Sequence, residues 1–173
     1  MFTSIFQKFT RNYNLRKFED CSKNLSVSIK FDIPDNNYNN VIWMAGNMEI
    51  KEKLFGPIDL SFDHSRCSLN MTNCEKFSVI NIREACKKIS DQSLYYANVI
   101  DRVSPRLSCP VMPGNYTILN SDLNLKIFSF APFDGFIYLT IAKAVATDLV
   151  KKTRIIAWCN KIETKIVKVR NKT

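Results

Sequence analysis

Over residues 25–33 every second residue is apolar, with Leu25, Val27, Ile29, Phe31 and Ile33 on one side of an extended chain and Ser26, Ser28, Lys30 and Asp32 on the other. A stripe of period two is buried only by a β-strand that turns one face to a core and the other to water. Pro34-Asp35-Asn36-Asn37 then ends the run by proline and Asx turn chemistry. The alternation returns. Ile58, Leu60 and Phe62 alternate with Asp59, Ser61 and Asp63; Leu123, Leu125 and Ile127 with Asp122, Asn124 and Lys126; Phe136, Tyr138 and Thr140 with Ile137, Leu139 and Ile141. Residues 41–50 hold Trp43, Met44 and Ile50 around Gly46-Asn47, which implies a bulge or a tight turn, and two closing strands are expected over 155–162 and 164–169. Short strands separated by turn signals predict a mainly β chain, an immunoglobulin-like β-sandwich.

One stretch departs from period two. Ile82, Cys86, Ile89, Leu94, Tyr95, Val99 and Ile100 recur at helical spacing without proline or glycine, so a single helix is expected around 81–102. With 173 residues, 46% of them apolar, the chain builds one core and is too short for two domains. Residues 1–20 are polar and mixed and predict a loose N-terminal arm with a short strand near its end, leaving 21–169 as the single domain. Of only four glycines, Gly114 and Gly135 each precede an aromatic-rich alternating run, where a turn needs positive φ.

The net charge of +9 is scattered, with a mild concentration at Lys161, Lys165, Lys168, Arg170 and Lys172. No nucleic-acid module accompanies it, so no nucleic-acid partner is expected. A solvated basic surface, or one drawn to anionic lipid head groups, fits better. No run of eighteen apolar residues is present to span a membrane as a helix.

Cys21, Cys67, Cys74, Cys86, Cys109 and Cys159 are even in number, contain no CxxC pair, and are accompanied by one histidine, His64. That pattern favours disulfides over a zinc site, with Cys67 and Cys74 placed to pin a local loop. Sequons at Asn24, Asn70, Asn115 and Asn171 agree with an extracellular, glycosylated chain. Residues 1–17 carry Lys8, Arg11, Arg16 and Lys17 and no apolar stretch of a secretory leader, so the expectation of secretion rests on the cysteines. Catalytic signatures are lacking: there is no GxSxG elbow, P-loop or GxGxxG, and His64 beside Asp63 reads as a strand-end residue. A non-enzymatic protein without cofactor or metal is expected.

Phe18-Glu-Asp-Cys21, Cys67 and Cys74 seven apart, Cys109-Pro-Val-Met-Pro-Gly-Asn-Tyr116, Pro132-Phe-Asp-Gly-Phe-Ile-Tyr138 and a final Cys159 resemble the ganglioside-activator-like family. Within it the chain is most similar to the insect chemosensory CheB-like proteins, with the ML-type lipid-recognition domains as broader relatives; the resemblance covers residues 18–166. It implies a secreted β-cup whose two sheets splay around an apolar ligand, a lipid, glycolipid or pheromone-like hydrocarbon that is carried or presented unchanged, and so a function in chemosensation. A membrane surface or a receptor would be the further partner. The pairings expected on this basis are Cys21 with Cys159, Cys67 with Cys74, and Cys86 with Cys109. Lysosomal members have a fourth disulfide that this chain lacks.

Twelve Phe, two Trp and six Tyr supply rings for such a cavity. The residues expected to touch ligand are Trp43, Phe62, Phe128, Phe130, Phe133, Phe136 and Tyr138, with Leu125 and Leu139 on the wall and the mouth near 130–136. The competing expectation is a secreted β-sandwich that binds another protein, an adhesion or receptor module with a filled core.

Overall fold

The computed structural model describes residues 9–21, 23–33, 41–94, 96–124 and 135–170. Strands run β1 (Phe9–Asp20), β2 (Val27–Asp32), β3 (Val41–Ile50), β4 (Ile58–Cys67), β5 (Cys74–Ile82), β6 (Val103–Ser104), β7 (Gly114–Asn124), β8 (Ile137–Asp148) and β9 (Thr153–Arg170). They form a five-stranded sheet in the order β1-β9-β8-β4-β5 and a four-stranded sheet in the order β2-β3-β7-β6, antiparallel throughout. The two sheets pack as the sandwich that the alternating runs predict. Val27, Met44, Met48, Ile50, Ile58 and Ile118 are buried between them.

Two expectations need adjustment, and one open alternative is resolved. Residues 9–20, expected as a loose arm, form a twelve-residue edge strand paired with β9 from Phe9 opposite Arg170 to Asp20 opposite Asn160. An edge strand needs few apolar anchors and tolerates charge on its outer side. Here Phe18 supplies the anchor, its ring edge-on to Phe31 of β2 at 4.9 Å. The two closing strands are one strand of eighteen residues, with a register shift opposite Ala144 and Val145 that steps over Ala157. At 41–50 the bulge is realised rather than the turn: β3 is continuous, and its register on β7 shifts between Met44 and Gly46.

The helical stretch is also shorter than its spacing suggests. β5 continues to Ile82, and among the described residues helical backbone is limited to a 3-10 turn at Ala85–Lys88 and a five-residue helix α1, Ala97–Asp101. The backbone N–H of Glu84 is taken by Asp59 Oδ1 at 2.9 Å, and Asp91 Oδ1 accepts from both Ser93 N (2.9 Å) and Ser93 Oγ (2.6 Å). Such side chains offer the backbone an alternative to the helical ladder, so apolar spacing alone does not carry a helix through them. Among the described residues no helix is long and apolar enough to cross a membrane.

The disulfides are Cys21 to Cys159, Cys67 to Cys74 and Cys86 to Cys109, the three pairings expected. The first ties the segment after β1 to β9, the second closes the β4–β5 hairpin, and the third fastens the 3-10 turn to the segment before β7. Along the β1/β2 edge the two sheets meet through Phe18 and Phe31. At the β5/β6 edge the 3-10 turn lies against β4 and α1 against β7.

Candidate functional site: an apolar cavity between the sheets

The inward faces of the two sheets do not meet in the middle of the sandwich. They line a cavity of about 370 Å³ that is partly open to solvent. Period two assigns its walls. From the larger sheet come Ile58, Leu60, Phe62 and His64 of β4, Tyr138, Thr140, Ala142 and Ala144 of β8, and Trp158, Ile162, Thr164 and Ile166 of β9. The smaller sheet contributes Val27, Ile29 and Phe31 of β2, Met44, Met48 and Ile50 of β3, and Ile118 of β7. Ile89, Tyr96, Val99 and Ile100, on the segment between β5 and β6, line a further side.

Small side chains create the space. On β8 the inward residues shrink along the strand from Tyr138 through Thr140 to Ala142 and Ala144, opposite Phe62 and Leu60 of β4 and Asn160 and Trp158 of β9. Ala142 is fully buried, yet its methyl cannot span the gap between sheets that pack about 10 Å apart.

Polar groups on the wall cluster at one level. His64 and Thr140 are register partners on β4 and β8, with Nδ1 and Oγ1 2.8 Å apart, and Thr164 pairs with Tyr138 one step further along β8. Burial pushes the His64 pKa below its usual value, against a smaller opposing pull from Asp63, so the imidazole is neutral at neutral pH. Phe62 stacks on Tyr96 at 6.4 Å and Phe77 stands edge-on to Tyr138 at 6.3 Å. Among the described residues no grouping of His, Cys, Asp or Glu could hold a metal ion.

Of the residues expected to touch ligand, Phe62 and Tyr138 line the cavity. Trp43 does not: it stands on the opposite face of β3 from Met44 and is 45% exposed. Phe136, half-buried, lies under the Arg66 guanidinium at 4.8 Å and is not on the wall. Leu139 alternates to the other face of β8, between Tyr138 and Thr140, and is not on the wall either. Leu125, Phe128, Phe130 and Phe133 lie outside the described residues, and so does most of the expected mouth at 130–136. The sequon residues Asn24, Asn70 and Asn115 are exposed, and Asn171 is outside the described residues. The wall residues missed from the sequence are chiefly Ala142, Ala144, Met44, Met48 and Trp158. Their signal was the alternation of β8 continued past Thr140, where Ala142 and Ala144 mark an inward face too small to fill its half of the sandwich.

No family model matches the chain, and no curated protein matches it.

Proposed function

We propose that the protein is a secreted, non-enzymatic carrier or presenter of a hydrophobic ligand held between its two sheets. The observation that carries this reading is the apolar cavity of about 370 Å³, within the roughly 300–1,000 Å³ usual for small-molecule sites. Three disulfides fit an oxidising compartment. The similarity of its cysteine and turn motifs to ganglioside-activator-like proteins supports the same reading, and a lipid, glycolipid or pheromone-like hydrocarbon is the class of ligand proposed.

The energetics favour an apolar chain. Each methylene withdrawn from water contributes about 0.8 kcal/mol, so an alkyl chain of roughly ten carbons gains about 8 kcal/mol before the costs of association are deducted. The test is displacement of a fluorescent fatty-acid probe from the folded protein by candidate lipids. Saturable uptake at one site per chain is expected. Failure of any such probe to bind would favour the filled protein-interaction module instead.

A further inference from the structure

The hairpin between β8 and β9 has a tip that a soluble turn does not require. Asp148 pairs with Thr153, and the four residues between them are Leu149, Val150, Lys151 and Lys152. Turns of this kind are ordinarily filled by Gly, Asn, Asp or Ser. Here two branched aliphatic side chains occupy the tip, Leu149 at 67% and Val150 at 93% exposure. The tip is also ordered locally, because Asp148 Oδ1 accepts from the backbone N–H groups of Val150 (2.9 Å) and Lys151 (3.0 Å).

A second exposed apolar group lies beside it. The loop from β3 to β4 passes under the hairpin: Thr147 N donates to Pro57 O at 3.0 Å, and a Cβ on Gly56 would come within 3.6 Å of Leu149 Cγ. Phe55, next to Gly56, is 60% exposed with Lys53 Nζ 5.0 Å from its ring centre. Basic residues accompany this apolar group: Lys151 and Lys152 complete the same turn and Lys53 lies over the Phe55 ring, outnumbering the carboxylate of Asp148, which is held in the turn.

We infer that this end of the sandwich, formed by Phe55, Leu149 and Val150 with their flanking lysines, is a docking surface for an anionic lipid membrane. Aliphatic and aromatic tips enter the acyl boundary while lysines stay with the phosphates, the same division of labour that holds amphipathic segments at an interface. Charge complementarity chooses the occupant, because a chain of net charge +9 is attracted to an anionic leaflet and this patch joins that charge to exposed apolar area. The inference does not depend on what the cavity holds.

The test is co-sedimentation of the full chain with vesicles of phosphatidylcholine alone and with about one-third phosphatidylserine, at physiological salt. The wild type is expected to sediment with the anionic vesicles and not with the neutral ones. A lysine near an anionic surface strengthens binding about fivefold, so Lys151→Gln with Lys152→Gln should lower the partition coefficient about twenty-five-fold. Leu149→Ser with Val150→Ser should abolish sedimentation while changing thermal unfolding little, since Val150 is almost wholly and Leu149 largely exposed. Val150→Trp should keep binding and shift its indole emission to the blue on anionic vesicles. Absence of wild-type sedimentation, or serine variants that bind as the wild type does, would overturn the inference; the latter leaves only a basic surface without insertion.

Discussion

Replacing Ala142 by leucine asks whether the space between the sheets is empty protein volume or ordinary packing. Ala142 is fully buried and on the cavity wall, between Phe62 of β4 and Asn160 of β9. Leucine adds three carbons. If they enter free volume they are worth about 0.8 kcal/mol each, some 2.4 kcal/mol in all, and for a domain of this size that raises Tm by about 5–10 °C. In a filled core the same change costs about 1–3 kcal/mol through strain. The sign therefore decides. Ala146 is the control, because it lies on the same face of β8, is 2% exposed and belongs to the packed core rather than the cavity wall. Ala142→Leu is expected to stabilise delipidated protein in thermal melts, whereas Ala146→Leu is expected to destabilise it. Ligand should respond in the opposite sense, since three carbons of wall displace about three of ligand and weaken binding roughly fifty-fold in probe displacement. If both leucine variants lose stability alike, the reasoning from small side chains to empty volume fails.

Further expectations follow from single residues. Gly56 has φ +74, and an added Cβ would lie 1.9 Å from the Thr147 carbonyl oxygen, so Gly56→Ala should cost about 2 kcal/mol or more in urea unfolding; a smaller loss would mean that the loop yields. Gly135 also has positive φ, +90, but open space around it, so Gly135→Val should cost only the backbone strain of about 1–3 kcal/mol, and an unchanged Tm would refute the turn conformation. Removing the Cys21 to Cys159 bond, which spans 138 residues, should cost about 4–5 kcal/mol by calorimetry in Cys21→Ser with Cys159→Ser. His64 has a folded pKa held below its unfolded value by burial, so its contribution is complete above about pH 6.5 and is lost as pH falls through the folded pKa. His64→Gln should flatten the stability profile in that window, and an unchanged profile would assign it to other groups.

How far the fold can be read from the residues depends on which force placed them. The strands were legible because burial of one face imposes period two, as at Val27, Ile29 and Phe31 or at Ile58, Leu60 and Phe62, all of which point inward. The segment 81–102 misled because Ile82, Cys86, Ile89 and Val99 are apolar at helical spacing for a different reason: Ile82 ends a strand, and the others reach the cavity from a chain bent by Asp59 and Asp91. Residues 9–20 were hidden by the charges of an edge strand. For the site, aromatic rings were a partial guide: Phe62 and Tyr138 line the cavity, whereas Trp43 and Phe136 do not. Rings such as Trp43 and Phe136 find other places to pack or face water, whereas a cavity is made where side chains are absent. Its mark in the sequence was the pair of alanines at 142 and 144, which a search for large apolar residues passes over.

The most direct measurement is quantitative mass spectrometry of an organic extract from the folded protein, purified from a secreting host with its three disulfides formed. About one equivalent of an apolar molecule per chain is expected from the wild type, with less retained by Ala142→Leu. An extract free of lipid, from protein that also fails to take up a fluorescent fatty-acid probe, would contradict a carrier built around the space between the sheets.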